Sequence, residues 1–130
     1  MSGDSTPGLR ARMGAALSTA MRARDRVAVA ALRSALGRVS NAEAVPVDSV
    51  PRAGALHDAP VGAGAADAPR RELTEADVRA VVEAEVAEHE HAAGHFAAVG
   101  RPDDAARVGA EADVLRTLLA EPVDEAAPRG

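Results

Sequence analysis

The 130-residue chain sets fifteen basic residues, every one an Arg, against twenty acidic ones, for a formal net charge of −5 with histidines neutral. It has no cysteine, and Phe96 is its sole Phe, Trp or Tyr, which excludes disulfides, thiolate chemistry and paired aromatic platforms for base stacking. Alanine fills much of the apolar count, so one domain with a thin core is expected, because alanine buries little area at roughly 25 cal/mol per Å².

Residues 7 to 24 predict the first helix, with Leu9, Met13, Ala16, Leu17, Ala20 and Met21 recurring at helical spacing. Asp25 suits the N-cap of a second helix, since its carboxylate can accept from backbone N–H groups two or three residues on. That helix carries Val29, Leu32, Leu36 and Val39 on one face and fades near Ala44. So short a join makes the two helices antiparallel neighbours or bends them sharply.

Residues 45–71 contain Pro46, Pro51, Pro60, Pro69, Gly54, Gly62 and Gly64 and keep no period. They predict a flexible Pro/Gly-rich linker.

"LTEADV" opens the third helix, with Thr74 as N-cap, Asp77 completing a capping box and Leu73 with Val78 in the staple positions. The helix runs to about Val99. Gly100 can take the left-handed conformation that ends a helix. Pro102 suits the first position of the next, and Asp103 and Asp104 favour the positive end of its dipole. In the fourth helix Ala105, Val108, Ala112, Leu115 and Leu119 alternate by three and four. Pro122 ends it and residues 122–130 read as a tail. The expected architecture is all-α: a basic hairpin over residues 1–44, the linker, and a second hairpin over residues 72–121.

Charge divides unevenly between the halves. Residues 1–44 hold seven Arg against three acids, a net of +4, while residues 45–130 hold eight Arg against seventeen acids, a net of −9. Arg10, Arg12, Arg22, Arg24, Arg26, Arg33 and Arg38 could meet the phosphates of a polyanion, with salt-sensitive and weakly specific binding. Alternatively they meet the acidic half of the same molecule.

On helix 3, Val78, Val82, Val86, Ala93 and Phe96 share one face, and Glu85 and His89 fall near its middle. Burying either unpaired would be costly. They form either an acid/base pair or a satisfied contact that fixes helix register, and no nucleophile or oxyanion donor accompanies them. In "EHEHAAGH", His91 and His95 lie four apart and could share a metal ion with Glu88, although the string is not the metalloprotease arrangement. The alternative is a solvated face. A glycine-rich phosphate loop, a nucleophile elbow and a dinucleotide fingerprint are all missing, so no cofactor is expected. Neither a secretory h-region nor an apolar run of about 20 residues occurs, which makes a cytoplasmic protein without a membrane partner the expectation.

"AMRARDRVAVAALRSAL" (20–36), "ELTEADVRAVVEAEV" (72–86) and "VGRPDDAARVGAEADVLRTLL" (99–119) resemble the YqeY-like family. That GatB/YqeY domain is similar to the tail domain of the GatB subunit of the glutamine-dependent aspartyl/glutamyl-tRNA amidotransferase. The residues that match the family pattern are Asp25, Arg33, Glu85, Gly100, Arg101, Asp103, Glu111, Leu115 and Leu119, across about 75 residues. Val99 replaces an Ala, His89 stands where Arg or Lys is expected, and the chain stops where the family's smaller C-terminal helical subdomain would begin. The resemblance implies an all-α, non-catalytic module linked to tRNA or to tRNA-dependent amidation machinery. A carbon-nitrogen ligase activity with glutamine as amido donor would be inherited from the family name alone. The competing expectation is a protein-interaction or homo-oligomeric helical module with no RNA role.

Overall fold

The computed structural model describes residues 7–44 and 72–121. The expected linker (45–71) and tail (122–130) lie outside the described residues. Four helices follow in chain order: α1 (Leu9–Ala23), α2 (Arg26–Ala44), α3 (Glu75–Ala98) and α4 (Pro102–Ala120). The described residues contain no strand, and the fold is all-α as expected.

Both hairpin turns use the same backbone device. Arg24 takes left-handed angles, φ 58° and ψ 38°. Its N–H donates to the Met21 carbonyl at 3.2 Å, and the Asp25 N–H donates to the Ala20 carbonyl at 2.9 Å. This crossed pair satisfies carbonyls that the end of α1 would otherwise leave open. Asp25 then starts α2, its Oδ1 accepting from the Ala28 N–H at 3.0 Å. At the second turn Gly100 has φ 80°. Its N–H reaches the Ala97 carbonyl at 3.2 Å, and the Arg101 N–H reaches the Phe96 carbonyl at 2.8 Å. Pro102 opens α4, with Asp103 and Asp104 in its first turn.

α3 begins with the capping box the sequence predicts. The Thr74 hydroxyl accepts from the Asp77 N–H, and the Asp77 carboxylate accepts from the Thr74 N–H, both at 3.0 Å. Leu73 packs against the core beside buried Val78. Two other helix ends are capped from across the molecule. Gly8 offers α1 no capping side chain, and Glu75 Oε2 accepts from the Leu9 N–H at 2.9 Å instead. A Cβ on Gly8 would stand 2.6 Å from Glu75 Oε1, so a larger residue there would make the Glu75 side chain shift. α4 has no basic residue in its last turn. Arg12 from α1 and Arg79 from α3 donate to its Leu118 and Leu119 carbonyls at 3.1 and 2.6 Å, where positive charge suits the negative end of the dipole.

All four helices share one core. Leu9 and Met13 of α1, Leu32 and Val39 of α2, Val82 of α3 and Leu115 of α4 are its largest fully buried side chains. Ala20, Ala28, Ala31, Ala35 and Ala112 are buried among them, and their small size lets the helix backbones come close. The two hairpins therefore pack as a single bundle.

Three apolar residues depart from the sequence pattern. Met21, grouped by spacing with Leu9 and Met13, is 48% exposed. Its neighbour Ala20 faces the core at that level, and one residue is about 100° of rotation on a helix. Phe96 is half-buried and outside the core, because the shared core on α3 stops at Val86 while the helix runs on to Ala98. Its ring instead carries the Arg101 guanidinium 5.2 Å from its centroid. In α4, Leu118 is buried and Leu119 only partly so.

Candidate functional site

The structure brings Glu85 and His89 together, with partners from two other helices. Among the described residues Glu85 is the one buried charged side chain, 3% exposed. Its Oε1 accepts from Arg38 Nη1 of α2 at 3.1 Å, and its Oε2 accepts from the Ser34 hydroxyl. His89 Nδ1 lies 3.0 Å from the Glu85 carbonyl oxygen, and Nε2 lies 3.1 Å from Glu111 Oε1 of α4. Both ring nitrogens thus face oxygen atoms, one on its own helix and one on α4. Arg38 also meets exposed Glu88, and that contact, joined by Glu85, holds its guanidinium above its ordinary range.

This network ties α2, α3 and α4 at one level of the bundle. Its oxygens and ring nitrogens are directed at one another. The nearby cavity of about 480 Å³, lined by Arg38, Asn41, Ala42, Ala80, Val81 and Ala84, has neither Glu85 nor His89 in its wall. The geometry matches the register-fixing contact, because the polar atoms of both groups are engaged with protein partners on three helices.

The seven arginines of the first hairpin separate into two sets. Arg10 forms a two-pronged pair with Glu43, with Nη2 to Oε1 at 2.8 Å, which raises its pKa. Arg12 meets Glu121 at 3.1 Å and caps α4, and Arg38 belongs to the polar network. These three answer acids of the same molecule. Arg22, Arg24, Arg26 and Arg33 are all exposed, and none forms a salt bridge to a described residue. Three of them, Arg24, Arg26 and Arg33, line a cavity of about 480 Å³ at the α1–α2 turn together with Met21, Val29 and Ala30. Asp25 is the acid within this set, and its carboxylate is engaged in capping α2.

The remaining candidates have structural surroundings. Gly100 and Arg101 build the second turn, and Asp103 is exposed in the first turn of α4. Glu111 is held by His89 and lies 3.8 Å from Arg107. Asp104 meets Arg107 at 3.0 Å and Arg101 at 2.6 Å, and those guanidinium groups, Arg107 first, lower its pKa. His91 and His95 are exposed. Glu88, their expected third ligand, is paired with Arg38, and no three His, Cys, Asp or Glu side chains gather as a metal site among the described residues.

Sequence reasoning found Glu85 and His89 because charge on an apolar stripe is conspicuous. It missed Ser34, Glu75 and Arg79, whose partners lie 51, 66 and 40 residues away along the chain. It also missed Met21 as a surface residue, although a large side chain next to Ala20 in an arginine-rich turn was the available signal. No described helix is long and apolar enough to cross a membrane. No family model, curated protein or solved structure matches the chain.

Proposed function

We propose that this chain is a non-catalytic helical module that docks on RNA, with tRNA as its partner, through the arginine end of the first hairpin. One observation carries the reading: of seven arginines in that hairpin, the four at the α1–α2 turn stay without a described carboxylate, while the other three are consumed internally. Four guanidinium groups against the single carboxylate of Asp25 leave a net positive cluster among the described residues, which attracts phosphates and releases their counterions. The resemblance to the YqeY-like family supplies tRNA, and tRNA-dependent amidation machinery, as the context. The engagement of Glu85, His89 and Glu111 with one another supports a module without a reaction centre, so glutamine-dependent amidation is not assigned to the isolated chain.

Binding of bulk tRNA, followed by fluorescence anisotropy across a salt series, tests this. Four phosphate contacts predict a slope of log K against log salt of about −3 to −4. Arg22→Ala with Arg33→Ala lowers that slope by about 1.5, whereas Arg107→Ala on α4 leaves it unchanged. Absence of binding at 50 mM salt, roughly the low end for such measurements, refutes the RNA reading. A homo-oligomeric module is the second reading, favoured by Met21 and Val99 being 48% and 53% exposed. Light scattering that returns a monomer at every concentration removes it.

A further inference from the structure

We infer that the α1–α2 turn takes an RNA segment with an unstacked base, seated on the apolar floor between the arginines; this rests on the RNA reading above. Phosphate contacts alone need only guanidinium groups at the surface. Here the guanidinium groups surround something else. Met21, Val29 and Ala30 line the same cavity of about 480 Å³ as Arg24, Arg26 and Arg33. Met21 is 48% exposed, and Arg33 Nη2 stands 4.0 Å from its Sδ. A polarizable thioether beside a planar guanidinium offers a flat base two favourable surfaces, the sulfur for dispersion and the guanidinium for stacking. Splayed bases in single-stranded RNA are held on guanidinium planes in this way.

The backbone supplies a second, independent observation. Arg24 is the one non-glycine residue with positive φ among the described residues, at 58°. The equivalent position of the other turn is Gly100, at 80°. The fold thus accepts glycine at such a turn, yet places an arginine on the rim of this cavity in a conformation that disfavours a side chain. A strained residue at a ligand clamp is a common use of that strain. Charge complementarity selects the occupant. Among the described residues the cavity rim carries three arginines and no acid, so an anionic strand fits better than a neutral apolar peptide.

Two labelled single strands of equal length and charge decide the matter: an oligouridylate, and an abasic ribose-phosphate strand. Stacking predicts that the base-bearing strand binds at least about 5-fold tighter at the same salt. Met21→Ser closes that gap while leaving binding of the abasic strand unchanged, and thermal unfolding of the variant serves as the folding control. Equal affinity for the two strands overturns the base site and leaves the phosphate reading standing. Displacement of the oligouridylate by polyglutamate of the same charge, at the same concentration, overturns it in favour of an acidic peptide partner. Failure of both strands and of tRNA to bind overturns the underlying RNA reading as well.

Discussion

Arg24→Gly is expected to make the protein more stable while weakening its hold on an anionic strand. Arg24 sits at φ 58° and ψ 38°, where an L-side chain costs about 1–2 kcal/mol relative to a right-handed conformation. Glycine removes that cost, and loses about 0.5–1 kcal/mol through the greater freedom of the unfolded chain. The lost cation at the C-terminal end of α1 takes away a few tenths more, about 0.3 kcal/mol for an exposed side chain. The net gain is about 0.5 kcal/mol, and relief of repulsion from neighbouring Arg22 and Arg26 adds to it. For a folded unit of this size that corresponds to a rise in Tm of roughly 2–4 °C. Helical circular dichroism at 222 nm, followed during heating and in urea, measures it. Arg24→Ala is the control, because it removes the charge and keeps the Cβ in the strained conformation. The reasoning is refuted if the glycine variant is no more stable than the alanine variant. Gly100→Ala should move the other way, losing about 1 kcal/mol at φ 80°.

The polar network predicts an asymmetry. Arg38→Ala leaves the buried Glu85 carboxylate without its guanidinium partner and should cost about 2–3 kcal/mol. Glu85→Gln keeps the volume and leaves Arg38, 38% exposed, still paired with Glu88, so its cost should be nearer 1 kcal/mol; urea denaturation of both variants ranks them. Asp104 titrates below its ordinary value beside Arg107 and Arg101. A lowered folded-state pKa contributes stability at neutral pH that is lost as pH falls through that value. Asp104→Asn should therefore be less stable than wild type at pH 7 and converge with it below the usual carboxylate range, a trend visible in Tm measured against pH.

The sequence by itself determined the helix ends that carry their own caps. Asp25, Thr74 with Asp77, Gly100 and Pro102 each act on backbone groups within five residues. These ends therefore follow from residue type, and the two hairpins with them, whereas the start of α1 and the end of α4 are capped by Glu75, Arg12 and Arg79 from far along the chain. Glu85 was also legible as a buried charge, since Val78, Val82 and Val86 fix the inward face of α3. Only the tertiary structure decided which arginines remain available. Arg10, Arg12 and Arg38 look no different in sequence from Arg22, Arg24, Arg26 and Arg33. Their fates separate because Glu43, Glu121, Glu85 and Glu88 are brought beside the first three by packing. Met21 followed the same rule, as a 100° step between adjacent residues put Ala20 inside and its larger neighbour on the surface. Periodicity tells which residues share a face, whereas the depth at which that face meets another helix is set by side chains far away in the chain.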